Sequence, residues 1–416
     1  MKSVFSVRAL SRVMRAGDSH RFDIDVAAEG QAIAEQLADD IGNRAVDLST
    51  FVRGRARGKP CVTYPSYERS IILRVLAGYI AKRFRITPPN RDRVVSGVIE
   101  TMFDATPYTV IRRDVTSFYE SIDADALRER LVYDTSLPRI VRTFLQQYFD
   151  AHCLPGVLGL PRGVGLSGVL AELAMEQFDR RVRAMPGVYR YFRYSDDIVV
   201  FCYDRAAGIA NDMVGALPTG MLFHAKKRSE TAFVDRTSNS RHLDYLGYRF
   251  STTSGTGSRE SRTIVVTIAP EKIKRLKTRV IMSLKRFMKD GNTNLLFDRL
   301  RLLSSNHQLQ RHGVSFWGPR KRVRTGIFYN YRRCGIYNHR SYNCVEPPEL
   351  GALDTFTHHL LRSRHSEFSA RLRAAMGLRH LILLDGISFR LGFKSRRLVR
   401  LSNERLAQAR EAWRNV

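Results

Sequence analysis

Apolar positions along the first 270 residues follow two periods, which predict helices alternating with short strands. SYERSIILRVLAGYIAKRF (66–84) and RDRVVSGVIETMF (91–103) carry apolar residues at helical spacing. YTVIRRDV (108–115) is rich in β-branched and aromatic residues, which predicts a strand ending near Asp114. ADALRERL then begins a helix for which Asp123 is a suitable N-cap.

The middle of the chain predicts a sheet built from hairpins. The glycine-rich loop GLPRGVGLSG (159–168) leads into a long helix with an apolar stripe. YRYFRYSDDIVVF (189–201) predicts a strand, a tight turn at Ser195–Asp197 and a second strand. A helix fits residues 205–217, and residues 243–269 predict a hairpin with a Ser/Gly/Thr loop. This order indicates an α+β fold, a small antiparallel sheet with helices on one face.

After Pro270 the pattern becomes almost wholly helical and very basic. We therefore predict three regions: an N-terminal extension over 1–60, an α+β region over 61–269, and a basic helical region over 270–416. A length of 416 residues suits two or three domains of ordinary size.

The charge balance suggests a polyanionic partner. Lys and Arg number 69 against 40 Asp and Glu, giving a net charge of +29. Nucleic acid is the partner that such a charge favours, through neutralised phosphates and released counterions. High solubility or binding to a membrane surface are the alternatives. No apolar stretch is long enough to span a bilayer, so no membrane-spanning helix is expected, and the partners we expect do not include a membrane.

Cysteine usage and the N-terminus bear on the compartment. The five cysteines form no CxxC pair, which argues against a zinc site or a disulfide framework and favours the reducing cytoplasm. Charges interrupt the first residues too often for a secretory signal, and an ordinary first helix is expected there.

Adjacent carboxylates beside an apolar run are unusual, because ionised groups resist burial unless they are paired or bound to metal. Asp196 and Asp197 lie in the turn between two predicted strands, and Asp114 ends another. If these strands are neighbours, the three carboxylates converge. Such a cluster suits Mg²⁺ or Mn²⁺, and two such ions about 4 Å apart assist phosphoryl transfer. An Asp pair alone is also ordinary turn chemistry.

Four segments in sequence order resemble the motifs of reverse transcriptases. They are RRDVTSFYESID, GLPRGVGLSGVLAEL, YSDD and LDYLGYRF. They cover roughly residues 60–270. The resemblance implies a right-hand polymerase fold, with fingers and a palm that holds the antiparallel sheet, followed by an α-helical thumb and C-terminal domain. It implies an RNA-directed DNA polymerase, a nucleotidyltransferase in which the 3′-hydroxyl attacks the α-phosphate.

The resemblance also assigns the catalytic residues. It makes Asp114, Asp196 and Asp197 the ligands of two Mg²⁺ (or Mn²⁺) ions, assisted by the Val115 carbonyl. Tyr119 would be an aromatic gate that selects deoxynucleotides; core packing is the alternative for this ring.

Other residues would bind nucleotide or nucleic acid. Gly163 would let the backbone approach nucleotide or template, and Lys227, with Lys226 as its rival, would lie near the triphosphate. Arg69 would bind the triphosphate or be a helix-surface charge. Arg162 departs from the Pro–Gln–Gly of many relatives and adds a cation near template or nucleotide.

The basic helix after 270 would contact template–primer phosphates through Lys272, Lys274, Arg275, Lys277 and Arg279. Phe328, Tyr329 and Tyr331 would stack on bases or be part of the core.

The resemblance is strongest to the stand-alone bacterial reverse transcriptases, many of which act in antiphage defence, and it is carried by SFYESID, LSGVLAELAMEQFD and TGIFYNYRRCG. That resemblance implies deoxynucleoside triphosphates as substrates, an RNA template or non-coding RNA, a DNA product, and a second reverse transcriptase or another copy of the chain as a potential partner. Untemplated or protein-primed synthesis, a retroelement reverse transcriptase and a non-catalytic RNA-binding scaffold are the alternatives.

Overall fold

The structure, a computed structural model, describes residues 3–15, 17–56, 58–104, 106–153, 156, 158–203, 206–233, 241–253, 263–310, 322–338 and 341–413. The fold is α+β with mainly antiparallel sheets, as predicted. The described residues fall into two compact units, mainly 1–94 with 108–232, and 95–107 with 233–309 and 322–416. These units divide the chain at other points than the three predicted regions do. The three regions stay predictions.

The first unit contains most of the helices and strands before residue 233. Its helices are α1 (Val7–Arg12), α2 (Asp18–Phe22), α3 (Val26–Gly42), α4 (Tyr67–Arg83), α5 (Arg91–Met102, which ends in the second unit), α6 (Ala124–Val132), α7 (Arg139–His152), α8 (Gly165–Ala174), α9 (Glu176–Arg183) and α10 (Ala206–Ala216). A 3₁₀ turn covers Phe118–Ser121. Its strands are β1 (Val52–Ala56), β2 (Lys59–Thr63), β3 (Tyr108–Asp114), β4 (Val188–Tyr194), β5 (Asp197–Cys202) and β6 (Ser229–Phe233).

Local capping chemistry places several of these helices where the sequence predicts them. The Ser66 hydroxyl accepts from the Arg69 N–H at the start of α4, and the Asp123 carboxylate accepts from the Ala126 N–H at the start of α6.

The prediction of a single long helix after the glycine-rich loop is wrong, because α8 and α9 are separated at Met175. The break is local: Met175 N–H still donates to the Ala171 carbonyl at 3.2 Å.

A four-stranded sheet in the order β4-β5-β3-β6 forms the centre of the first unit. β5 pairs antiparallel with both β3 and β4, and Asp197 lies opposite both Asp114 and Tyr194. Because side chains alternate between faces, this register gives the sheet two different faces. The helix face, which carries Ile111, Ile198, Val200 and Cys202, packs in one apolar core with helix residues that include Leu170 and Met213. The carboxylate face carries Val110, Arg112, Asp114, Asp197, Val199 and Phe201.

A two-residue turn joins β4 to β5. Tyr194 pairs with Asp197, so Ser195 and Asp196 form the loop, and Ser195 has a φ of 58°. Positive φ is uncommon outside glycine and stores strain, which the surrounding structure must hold in place. The turn predicted at this position is present.

The second unit contains a five-stranded sheet, a small three-stranded sheet and the remaining helices. Its strands are β7 (His242–Tyr245), β8 (Tyr248–Thr253), β9 (Thr263–Ile268), β10 (Asn306–Gln310), β11 (Arg322–Gly326), β12 (Gly335–Asn338), β13 (Ser341–Asn343) and β14 (Leu398–Val399). Its helices are α11 (Pro270–Asp290), α12 (Thr293–Ser304), α13 (Ile327–Asn330), α14 (Pro348–Arg362), α15 (Glu367–Ala375), α16 (Leu378–Asp385), α17 (Phe389–Ser395) and α18 (Asn403–Glu411).

The hairpin predicted over 243–269 is part of the larger sheet, ordered β13-β12-β9-β8-β7. Leu246 and Gly247 both have positive φ and close β7 onto β8, as a type I′ turn requires. β8 pairs with β9, and the predicted Ser/Gly/Thr loop between them lies outside the described residues.

The prediction of an almost wholly helical region after Pro270 is wrong, because β12 pairs with β9. Strands of three to five residues are too short to show a period of two in the sequence. Across the described residues, no helix is both long and apolar enough to cross a membrane.

Candidate active site

Three acidic residues predicted to act together lie at one end of the four-stranded sheet. Asp114 is the last residue of β3, Asp197 is the first of β5, and the two are directly opposite each other. Asp196 lies in the turn, and its carbonyl accepts from the Val115 N–H at 2.9 Å. The Asp114 carbonyl accepts from the His224 N–H at 2.7 Å. The backbone therefore fixes the turn and the end of β3 to each other.

Two of the three carboxylates are held by cations. Lys227 Nζ donates to both carboxylate oxygens of Asp114, at 3.1 and 3.2 Å. Arg112 donates through Nε and Nη2 to the two oxygens of Asp197, at 3.1 and 3.2 Å. Lys227 is mainly exposed, whereas Arg112 and both acids are largely buried. Both cations therefore offset negative charge that would otherwise be concentrated at this end of the sheet.

The electrostatics of the turn reflect burial first and the crowding of negative charge second. Burial raises the pKa of Asp196 above its usual range, and the neighbouring Asp114 raises it further. Burial also raises the pKa of Asp197, and Asp114 and Asp196 add to this effect although Arg112 opposes it. A raised pKa means that the surroundings do not stabilise the carboxylate anion fully. A cation placed beside such a carboxylate stabilises the anion.

The donor chemistry fits a hard divalent cation, whereas the present arrangement of the side chains is not a preformed cage. Carboxylate oxygens are the ligands that Mg²⁺ and Mn²⁺ prefer. Among the described residues, no group of three His, Cys, Asp or Glu side chains is arranged to hold a metal ion. Arg112 and Lys227 bind oxygens that a metal would also use, so these two cations compete with a metal for Asp197 and Asp114.

On the helix face, Arg193 anchors the strand that leads into the turn. It donates to Asp179 through Nε and Nη2, both at 2.8 Å, and to Glu172 through Nη1 and Nη2, at 3.1 and 2.7 Å. It also donates to the carbonyl of Ser195, the residue with positive φ, at 3.2 Å. Burial opposes a charge on Arg193, but the contacts with Asp179 and Glu172 outweigh it and raise the pKa of the guanidinium. The strained turn is therefore fastened to α8 and α9.

Tyr119 and Arg162 form a second cluster with Glu120. Arg162 donates to the Glu120 carboxylate through Nε and Nη2, at 2.6 and 2.9 Å, and its guanidinium lies 5.1 Å from the centre of the Tyr119 ring. The hydrogen bond from Arg162 lowers the pKa of Glu120. Burial raises the pKa of Tyr119, to which Glu172 and Asp196 contribute. The Tyr119 ring is half-buried and lies within the electrostatic reach of Asp196.

Gly163 has a structural reason to be glycine. Its φ is 94°, and a Cβ there would lie 2.4 Å from the Val62 carbonyl oxygen. The Val62 N–H donates to the Arg162 carbonyl at 2.7 Å, so this loop lies against β2. An approach of nucleotide or template to Gly163 stays a prediction.

Arg69 and Lys226 have contacts other than those predicted. Arg69 donates to the Asp47 carbonyl at 2.8 Å and to its carboxylate at 3.2 Å, so its guanidinium is held by Asp47 and not by one of the three acids. Lys226 is exposed, and its N–H donates to His224 Nδ1. Of the two rival lysines, Lys227 is therefore the one beside the acids; a contact with triphosphate stays a prediction for both Lys227 and Arg69.

In the second unit, the predicted nucleic-acid contacts lie on α11. Lys274 is exposed, whereas Lys272, Arg275, Lys277 and Arg279 are partly buried. Lys277 lies over the Phe356 ring at 5.0 Å and Arg279 over the Trp413 ring at 5.8 Å. Contact of these five residues with phosphates stays a prediction.

The aromatic residues predicted to stack on bases are in part core residues. Phe328 is buried against Phe393 and lies under the Arg396 guanidinium, at 4.3 Å. Tyr331 packs edge-on against Tyr248, and the Tyr329 hydroxyl accepts from Arg324. Core packing, the alternative given for these rings, describes Phe328.

Sequence reasoning missed Arg112, Glu120, Glu172 and Asp179, and gave no role to Arg193. One signal was present: Arg112 precedes Asp114 by two residues, so both lie on the same face of a strand. The partners of Arg193 lie 14 and 21 residues away on other elements, and no sequence pattern marks them.

Comparison with known proteins adds little to this picture. No family model matches the sequence, and no curated protein matches it. Among solved structures, the chain aligns with apo telomerase from Candida tropicalis truncated from the C-terminal domain, at a TM-score of 0.34 and 13% identity. The alignment covers 53% of this chain and 59% of that chain, which is less than two thirds of its length. A TM-score of this size does not establish a shared fold.

Proposed function

We propose that the protein is an RNA-directed DNA polymerase that transfers nucleotides at Asp114, Asp196 and Asp197. The observation that carries the proposal is the register of β3 and β5, which sets Asp114 opposite Asp197 with Asp196 in the adjoining turn. The order of the reverse-transcriptase-like motifs in the sequence supports it. The net charge of +29 supports a nucleic-acid partner.

The three carboxylates would hold two Mg²⁺ or Mn²⁺ ions, with the Val115 carbonyl as a further oxygen ligand. Bound metal would stabilise the charge that develops on the attacking and leaving oxygens. Arg112 and Lys227 would keep the carboxylates neutralised until metal and nucleotide arrive. Lys227 is mainly exposed on a flexible side chain, and this suits a residue that leaves Asp114 for a triphosphate.

Tyr119 would act on the choice of sugar, and Arg162 would hold its ring in place. A guanidinium stacked on the ring and bound by Glu120 restricts the movement of both side chains. We infer deoxynucleoside triphosphates as substrates, RNA as template and DNA as product.

The biological setting rests on the sequence resemblance alone. It favours a stand-alone bacterial reverse transcriptase that works in antiphage defence with a non-coding RNA. A second reverse transcriptase or another copy of the chain would be its partner, and the cytoplasm its compartment.

A primer-extension assay tests the polymerase proposal. Purified protein with an RNA template, a DNA primer, deoxynucleotides and Mg²⁺ is expected to make DNA. Asp196→Asn is expected to abolish the product, whereas Asp212→Asn, which removes an exposed acid on α10, is expected to leave it unchanged. Absence of DNA from the folded wild-type protein, or unchanged synthesis by Asp196→Asn, would contradict the proposal. Sequencing the product distinguishes templated from untemplated synthesis, and a covalent DNA–protein adduct would indicate protein priming.

A non-catalytic RNA-binding scaffold is the second candidate, and one observation favours it. Asp114 and Asp197 already have cationic partners, and the described residues offer no preformed three-ligand metal cluster. A scaffold would bind RNA with unchanged affinity in Asp196→Asn and would bind no Mn²⁺ by calorimetry. Mn²⁺ binding that is lost in Asp196→Asn would exclude it.

A further inference from the structure

A small cationic cavity lies apart from the three carboxylates, between the N-terminal segment, α4 and the start of α8. Its volume is about 80 Å³. Its lining includes three arginines (Arg15, Arg21 and Arg74) and residues 163–165. The side chains of Tyr64, Ser70 and Val164 are buried and form its apolar and hydroxyl-bearing wall.

The charges around this cavity do not balance. Arg74 donates to both carboxylate oxygens of Asp18, at 2.6 and 2.8 Å, and the Arg15 N–H donates to Asp18 as well, at 2.8 Å. The cavity is therefore lined by three guanidinium groups, of which only that of Arg74 is paired with the Asp18 carboxylate, and this leaves a surplus of two positive charges. Burial lowers the pKa of Arg15, and the nearby Arg74 and Arg21 add to the effect although Asp18 opposes it. Like charges brought together in this way are stabilised by a bound anion.

The backbone at the cavity adds N–H donors, which also favour an anion. α8 begins at Gly165, and its N-cap residue, Val164, has no side chain that can accept a hydrogen bond from the first turn. The first N–H groups of a helix attract anions, since they have no acceptor within the helix. Both Gly163 and Gly165 are exposed, so the backbone can be approached closely.

We propose that this cavity binds a phosphate group, and that the group is the terminal phosphate of an RNA strand. A volume of about 80 Å³ is large enough for one phosphate group. A surplus of two positive charges matches the dianion of a terminal phosphate better than the single charge of an internal phosphodiester. Arginine offers planar paired donors for phosphate oxygens. The phosphate site stands without the proposed function; only its assignment to RNA rests on that function.

The experiment compares two RNA oligonucleotides of one sequence, one with a 5′-phosphate and one with a 5′-hydroxyl, each labelled at its 3′ end. The protein is the full chain carrying Asp196→Asn, in EDTA, so the result does not depend on catalysis or metal. We expect the 5′-phosphorylated RNA to bind roughly fivefold to tenfold more tightly, the range of a few charge-assisted hydrogen bonds.

The double variant Arg15→Gln/Arg21→Gln is expected to lose this preference. Both residues can be replaced without breaking the Arg74–Asp18 pair, so the fold is expected to persist. The matched control is Arg8→Gln/Arg12→Gln, which removes the same charge from exposed positions of α1 and should keep the preference.

Inorganic phosphate gives an independent reading. It is expected to raise the Tm above that in chloride of equal ionic strength, for the wild type and the control but not for the Arg15/Arg21 variant. Equal binding of both RNAs together with no phosphate-specific rise in Tm would overturn the proposal. A rise in Tm without discrimination between the RNAs would overturn the assignment to an RNA terminus and support a site for free phosphate. Absence of primer extension by the wild-type protein would contradict the polymerase proposal, but it would not change the outcome of these binding and Tm measurements.

Discussion

The two faces of the four-stranded sheet use the same kinds of residue in opposite ways. On the helix face, Arg193 is buried and makes five hydrogen bonds, four of them to the two acids Glu172 and Asp179. On the carboxylate face, three acids share two cations, and one of those cations, Lys227, is mainly exposed. The pKa values of Asp196 and Asp197 are raised on this face, whereas the pKa of Arg193 is raised on the other.

The difference lies in the charge ratio and in access to solvent. On the helix face, one buried arginine is paired with two acids, so it fixes the strand and the turn. On the carboxylate face, three acids have only two cationic partners, so a metal ion could replace a cationic side chain there. A buried, fully paired ion pair is costly to break from one side, whereas an exposed pair contributes little.

The largest effect is expected from breaking the helix face. Arg193→Met leaves Glu172 and Asp179 buried without a partner, and we expect a loss of about 3–5 kcal/mol in unfolding free energy. Urea denaturation measures it. Arg112→Met, which leaves the largely buried Asp197 without that partner, should cost less, about 1–3 kcal/mol. Adding Glu172→Gln and Asp179→Asn to Arg193→Met should recover much of the loss, and equal losses for the two single variants would contradict the comparison.

The next effect concerns metal affinity. Arg112→Gln removes a cation that competes for Asp197, and a charge-assisted contact of this kind is worth about 1.5–3 kcal/mol, a change in binding of roughly tenfold or more. We expect tighter binding of Mn²⁺, measured by calorimetry in the absence of nucleotide. Arg190→Gln, which removes an exposed charge on β4, two strands away from Arg112, is the matched control. Weaker binding by Arg112→Gln would show that the arginine supports the metal site instead of competing with it.

A pH profile tests whether folding raises the pKa of Asp196. Because folding raises the pKa of Asp196, the folded state holds that proton more tightly, and the wild type loses stability as pH rises through the folded pKa. Asparagine does not titrate. In metal-free buffer, the stability of Asp196→Asn relative to wild type should therefore increase from about pH 4 to pH 7. Thermal unfolding at each pH measures it, and a difference that shrinks as pH rises would reverse the sign of the argument.

The smallest effect is expected at Arg190. It is exposed and donates to the neighbouring Tyr189 carbonyl at 3.0 Å. Arg190→Gln should change the unfolding free energy by no more than about 0.5 kcal/mol. A loss near that of Arg193→Met would show that position on the strand, and not pairing with Glu172 and Asp179, decides stability here.

Local features of this chain could be predicted because their causes lie within a few residues. The strand that ends at Asp114, the cap at Asp123 and the turn at Ser195 depend on propensity, capping and turn geometry. The short strands after Pro270 escaped prediction, because their pairing with β9 supplies the stability that so few residues lack by themselves.

Gly163 shows how a signal can be present while its cause stays hidden. The glycine-rich loop marks the position as special, yet the atom that excludes a side chain is the Val62 carbonyl on β2. Arg162 is similar: the sequence marks it as a departure from a motif, and only the fold reveals Glu120 and Tyr119 as its partners.

By itself, the sequence determined which residues carry the charge and where strands and turns place them. It determined that acids stand at Asp114, Asp196 and Asp197, and that the chain is basic enough to attract a polyanion. Only the tertiary structure decided which cation meets which acid. Charges interact across space over several ångströms whatever their separation in sequence, so Arg112 reaches Asp197 across 85 residues. The pairing of β3 with β5 and their packing on α8 and α9 created that difference between the two faces.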